Sequence, residues 1–176
     1  MNIKEVKFAD WTVVDNSPDI VRCVVCVAPH TSNWDFIVGM TASRRLGRRI
    51  HFLMKSDWFV GPLRYLFEEL GGIAVDRSSK NGLVDQLVER FALDSSLCVA
   101  FTPEGTRSAN PHWKSGFYQV ACKADVPLLL AKIDFQSKHI EISEPIEIQG
   151  DYSLDIAKIK EYFKECKGKN PENFVL

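Results

Sequence analysis

The sequence lacks most of what would place a chain in a membrane, in an oxidising compartment or on nucleic acid. No apolar run approaches the roughly 20 residues that a spanning helix needs, and Met1 to Asp10 is polar and charged rather than signal-like. Charge of one sign is not in excess. Lys and Arg number 22 against 23 Asp and Glu, a formal net charge of -1, so no nucleic-acid partner is expected. Five cysteines at irregular spacing make no disulfide framework and suit a reduced compartment, which points to the cytoplasm. The Cys23-x-x-Cys26 pair lies inside the apolar run Val21 to Ala28, where residues three apart on a strand face opposite ways; core thiols are expected there, not a redox or zinc pair. His30, His51, His112 and His139 form no ligand-spaced cluster, so neither a metal nor another cofactor is expected. Repeats and linker-like tracts are also missing, and 176 residues are expected to form one domain, 1–176.

What is present is alternation. Val21 to Ala28 is short, almost wholly apolar and rich in valine, as a strand covered on both faces should be. Trp34 to Leu46 follows with helical spacing, and Ile50 to Met54 predicts the next strand. Asp57 to Leu70 is helical in tone but interrupted at Gly61-Pro62, predicting a short helix, a break and a second helix. Strands are expected at Ile73 to Val75, Leu97 to Phe101, Pro127 to Ile133 and His139 to Ile142, and helices at Gly82 to Leu93, Trp113 to Lys123 and Ser153 to Cys166. The class is α/β: a mostly buried mixed sheet flanked by helices.

In such folds ligands gather where strands end and helices begin, which directs attention to three junctions. The first, Pro29 to Asp35, carries His30 and, five residues on, Asp35 in the first turn of a helix that Ser32 or Asn33 can cap. A bend there lets the carboxylate fix the imidazole tautomer and leaves the other ring nitrogen free to accept a proton. The same two residues taken alone also suit a surface or capping pair. The second junction, Gly71 to Ser79, ends a strand at Asp76-Arg77, where Arg77 can clamp an oxyanion or form a surface ion pair with its neighbour. The third, Phe101 to Ser108, offers Glu104, Gly105, Thr106 and Arg107 as a second anion clamp or as a turn with a structural salt bridge.

Taken together, these blocks resemble the lysophosphatidate and glycerol-phosphate acyltransferase family. The matching residues are His30 to Asp35, Gly72 to Arg77, Pro103 to Ser108 and Val126-Pro127, in the family's order, with Lys114, Gly116 and Ala121 ahead of the last block. The resemblance covers roughly residues 25 to 135 of a motif-bearing core at about 20 to 135, and the joint occurrence of the blocks is far more specific than any single motif. It implies a glycerol-phosphate acyltransferase-like fold and a transferase of phospholipid biosynthesis. In that reading His30 is the general base with Asp35 behind it, and Arg77, Glu104, Gly105, Thr106 and Arg107 hold a substrate phosphate. The donor would be an acyl thioester of coenzyme A or acyl carrier protein, and the acceptor a lyso-glycerolipid, foremost 1-acylglycerol 3-phosphate. The family's usual N-terminal membrane helix is not seen in this sequence.

Fatty chains need an apolar surface, and Trp58, Phe59, Leu63, Leu66 and Phe67 around the Gly-Pro break are candidates for an acyl-chain or membrane surface; core packing is the alternative. Arg44, Arg45, Arg48, Arg49, Lys55 and Arg64 lie in the same stretch, suited to anionic lipid headgroups, acyl carrier protein or coenzyme A, or to a solvated face. The expectation is a peripheral protein on the inner face of the membrane. A second class is hydrolysis of the same thioesters, by water or through a nucleophilic Ser32, Cys26 or Cys98, although the sequence has no G-x-S-x-G elbow. A third class is a binder that kept the fold and lost the reaction.

Overall fold

The computed structural model describes residues 2–75 and 82–176. The chain opens with a hairpin that the sequence pattern did not reveal, β1 (Lys4–Phe8) and β2 (Trp11–Asp15). Alternation then proceeds through β3 (Cys23–Ala28), α1 (Asn33–Leu46), β4 (His51–Lys55), a 3-10 turn at Ser56–Trp58, α2 (Gly61–Glu69) and β5 (Gly72–Val75). It continues with α3 (Leu83–Leu93), β6 (Cys98–Phe101), α4 (Gly116–Ala124), β7 (Leu128–Asp134), β8 (His139–Ile142) and α5 (Tyr152–Tyr162), and ends in a 3-10 turn at Pro171–Asn173. The eight strands form one mixed sheet in the order β1-β2-β8-β7-β3-β6-β4-β5.

The apolar run of β3 puts it at the centre of the sheet, parallel to both β6 and β7. Both its faces are covered, which is why its residues do not alternate in polarity. On one face Val24, Cys26 and Ala28 meet Leu87 and Phe91 of α3 and Phe117 and Val120 of α4. On the other, Cys23 and Val25 meet Val38, Ala42 and Leu46 of α1. Cys23 and Cys26 therefore belong to opposite cores, as strand geometry requires.

Two helix boundaries differ from expectation. Trp113 precedes α4 in the loop, where it is buried and its indole N–H donates to the Val175 carbonyl at 3.3 Å; the adjacent Lys114 N–H is drawn to the Pro103 carbonyl at 2.8 Å. The closing helix α5 stops at Tyr162, and the chain tightens into turns closed by Lys164 N–H to the Glu161 carbonyl and Cys166 N–H to the Phe163 carbonyl.

Arg48 is neither a headgroup ligand nor part of a solvated face. Its guanidinium lies 2.7 Å from the fully buried Asp15 carboxylate and donates to the carbonyls of Ser17, at 2.6 Å, and Ile20. One side chain thus ties the exit of α1 to the end of the hairpin and the entry to β3. Removing one member of a buried pair costs about 3–5 kcal/mol, because the other is left uncompensated, whereas an exposed pair contributes about 0–1 kcal/mol. Asp15→Ala is therefore expected to lower the urea-derived stability by about 3 kcal/mol. Asp85→Ala, which removes the exposed pair with Lys123, is expected to change it by less than about 1 kcal/mol. Equal losses would refute this ranking.

Candidate active site

Because β3 and β6 are parallel neighbours, the loops that follow them emerge at the same edge of the sheet. The loop after β3 is short, with a cis Ala28-Pro29 bond, and passes into α1 through Ser32. Ser32 has extended backbone and is the N-cap; its Oγ accepts the Trp34 N–H at 3.0 Å. Asp35, three residues on, reaches back to complete a capping box, its Oδ2 accepting the amides of Thr31 at 2.6 Å and Ser32 at 2.8 Å. The same oxygen lies 3.2 Å from Nδ1 of His30. With Asp35 as acceptor, Nδ1 carries the proton and Nε2 carries the lone pair. Among the described residues the ring has no second hydrogen-bond partner, and its side chain keeps 16% of its surface open to solvent. The pair can therefore take up a proton at Nε2 and balance the resulting charge with a buried carboxylate.

Glu104, in the loop after β6, is turned inward. It is 2% exposed, and its Oε1 accepts the backbone N–H of His30 at 3.0 Å. Its Oε2 is buried without a partner among the described residues. Burial pushes this carboxyl up to about 7, even though the His30 amide and imidazole both favour its charged form. An inward carboxylate of the same sign as a phosphate holds the backbone of His30 and does not present itself as an anion clamp.

The rest of this loop faces outward. Gly105 has a φ of 66°, and a Cβ there would fall 2.7 Å from Cε of Lys114 and 2.8 Å from its Nζ. The missing side chain is what lets the Lys114 ammonium settle over the loop backbone. Thr106, Arg107 and Lys114 are exposed, and Arg107 has no ion pair among the described residues. Arg77 and the side chain of Trp58 lie outside the described residues.

The apolar candidates do not join the core. No residue of α2 is buried; Val60, Leu63, Tyr65 and Leu66 are all exposed, while the Phe59 and Phe67 rings meet at a tilt, 5.8 Å apart, with the Phe59 ring and the Phe67 backbone against Gly72 of β5. On the same side of the sheet, α1 exposes Trp34, Phe36 and Ile37, with Phe36 edge-on to Phe52 of β4 at 4.7 Å. A groove of about 570 Å³ beside α2 is lined by Arg49, Arg64 and Arg90 as well as Phe59, and does not include His30. Sequence reasoning missed the chain that closes over this edge. Gly168 and Asn170 lie against Thr31, in a tail with no periodicity to mark it.

The profile of the family described as Acyltransferase matches residues 13–130, well over half of the chain. A crystal structure of the 1-acyl-sn-glycerophosphate (LPA) acyltransferase PlsC from Thermotoga maritima shares the fold, with a TM-score of 0.53 at 20% identity, over 89% of this chain and 74% of that one. Comparison with curated protein sequences finds no significant match.

An upward displacement of Glu104 makes stability depend on pH. The folded state favours the protonated form, so the contribution of this group is complete below about pH 4.5 and is lost as pH rises to about 7. Glu104→Gln stays neutral throughout. Its urea-derived stability relative to wild type is expected to climb between pH 4.5 and 7 and to level off above, by up to about 3 kcal/mol at about 1.4 kcal/mol per unit. A difference that stays flat across that range would refute the burial-driven shift.

Proposed function

The chain belongs to the acyltransferase family, and on that premise we propose that it moves a fatty acyl group from a coenzyme A or acyl carrier protein thioester to the hydroxyl of a lyso-glycerolipid, foremost 1-acylglycerol 3-phosphate. The observation that carries this reading is the imidazole of His30, held through Nδ1 at 3.2 Å by an Asp35 carboxylate that two backbone amides fix in place. The crystallised protein whose fold it shares is described as acting on that same acceptor.

Nε2 of His30 takes the proton of the acceptor hydroxyl, and the oxygen attacks the thioester carbonyl. Asp35 stabilises the imidazolium. As the tetrahedral adduct collapses, the carbon–sulfur bond breaks and the imidazolium returns its proton to the departing thiolate. Exposed Arg107, with Thr106 and the Gly105 backbone, receives the acceptor's phosphate, and Lys114 supplies a second cation beside them. For Arg77, which lies outside the described residues, a part in binding the phosphate is what the family resemblance of Gly72 to Arg77 implies. Glu104 contributes by fixing the His30 backbone. A covalent route has little support. The Ser32 hydroxyl already accepts a helix amide, burial pushes the Cys26 thiol well up, and the neighbouring Cys23 thiol together with burial pushes Cys98 far up.

The outward apolar residues of α1 and α2 form a face that rests on an anionic lipid surface, where the acceptor resides. Trp34, Ile37, Thr41, Arg44 and Arg45 follow one helical stripe, with Arg44, Arg45 and Arg49 exposed. No helix among the described residues is long and apolar enough to cross a membrane.

Thiol release from long-chain acyl-coenzyme A and acyl carrier protein, with and without 1-acylglycerol 3-phosphate, tests the reaction. His30→Ala is expected to lower kcat by about a hundredfold to ten-thousandfold, and Arg107→Ala to raise the acceptor KM by about tenfold or more. Release that needs no acceptor would mean hydrolysis, and unchanged turnover in His30→Ala would end its assignment as base. For the surface, flotation with anionic vesicles is expected to recruit the protein, less so at high salt and not at all for Leu63→Glu with Leu66→Glu. Recruitment that ignores those charges would remove α2 from the contact.

A further inference from the structure

After α5 the chain runs as an irregular strap across the edge of the sheet that carries His30. It is fastened first at the exit of β7, where Phe135 donates its N–H to the Lys167 carbonyl at 2.8 Å and Lys167 donates to the Asp134 carboxylate at 3.3 Å. It is fastened last at the loop after β6, where Trp113 donates to the Val175 carbonyl and its ring lies tilted against Phe174 at 6.4 Å. Between these points it meets Thr31, the residue that follows His30. Gly168 makes the approach possible, because a Cβ there would lie 2.6 Å from Oγ1 of Thr31 and 3.2 Å from Cβ of Pro29. Asn170 then grips Thr31 twice: its backbone N–H donates to Thr31 Oγ1 at 3.1 Å, and its side-chain amide donates to the Thr31 carbonyl at 2.9 Å.

Thr31 is thereby held from opposite sides. Its N–H is committed to Asp35 and its carbonyl and hydroxyl to Asn170, which is 139 residues away in sequence. The peptide on the other side of His30 is held by Glu104. Any turn of the 30–31 backbone that swung the imidazole off Asp35 would break the Asn170 bonds as well. We propose that Asn170, acting through Thr31, is a positioning residue that keeps His30 in register with Asp35, and that the strap is part of the scaffold of the reaction. This rests on the assignment of His30 as base.

Positioning and mere stability separate in the kinetics. Removing the Asn170 side-chain amide (Asn170→Ala) or the Thr31 hydroxyl (Thr31→Val, of the same shape) is expected to lower kcat about tenfold, with KM for donor and acceptor unchanged. Thr31→Ser keeps the acceptor oxygen and should retain wild-type kcat. The Thr31→Val/Asn170→Ala double variant should be no slower than the slower single variant, since both act through one network. Unchanged kcat in both single variants, or losses confined to melting temperature or KM, would overturn the proposal. A second readout is independent of turnover: the ring signals of His30 in NMR spectra should shift or broaden in Asn170→Ala and match wild type in Thr31→Ser. Signals that do not move in Asn170→Ala would also overturn it. If His30→Ala were fully active, the base assignment would fall, while the NMR comparison would still decide whether Asn170 governs the His30 ring.

Discussion

The carboxylate of Asp35 serves a helix and an imidazole at once. Facing back along α1, it accepts the amides of Thr31 and Ser32, which no helical carbonyl can reach, and the same oxygen meets Nδ1 of His30. Charge-assisted bonds of this kind are roughly twice as strong as neutral ones, and the positive end of the helix complements the same charge. The start of α1, the bend of the loop and the orientation of the imidazole therefore stand or fall together. The other contacts at this edge of the sheet complete the frame, with Glu104 holding the His30 amide and Asn170 the Thr31 carbonyl.

Stability and chemistry are seated in different parts of the fold. The central strands β3, β6 and β7 are covered by α1 on one face and by α3 and α4 on the other, and the Arg48–Asp15 pair fastens the hairpin to that block. By contrast α2 has no buried residue and adds little to the core, yet it turns Leu63, Tyr65 and Leu66 outward. An element kept at the cost of exposing Leu63, Tyr65 and Leu66 to water makes physical sense where something other than water meets it.

Much of this was legible in the residues. The valine-rich run of β3, the helical spacing of α1 and α3 and the Gly61-Pro62 pair at which α2 begins are local signals, and the structure follows them. The contact between His30 and Asp35 was legible only in part: a helix start that Ser32 or Asn33 can cap lets the carboxylate bend back, but the same two residues suit a surface or capping pair, and it was the family resemblance of all the blocks together that singled them out. Other features were hidden because their causes are not local. β1 is an edge strand rich in charge, so its alternation is weak, and it is held by its antiparallel pairing with β2, which in turn pairs with the distant β8. The inward turn of Glu104 depends on an amide in another loop. Asn170 belongs to a segment without periodicity, and its partner lies at the far end of the chain.

Gly72 sets a height. With no side chain on β5 at that point, α2 settles until the Phe67 carbonyl would stand 2.8 Å from where a Cβ would be, and the Phe59 ring 3.2 Å from it. The backbone of the helix thus rides almost directly on the strand, and the outward reach of Leu63 and Leu66 above the plane of the sheet is fixed by a hydrogen atom. A single methyl group at residue 72 would act as a wedge, tilting or lifting the apolar face while leaving its composition intact. The depth at which such a face meets its surroundings is therefore written in the sheet beneath it as well as in the helix itself.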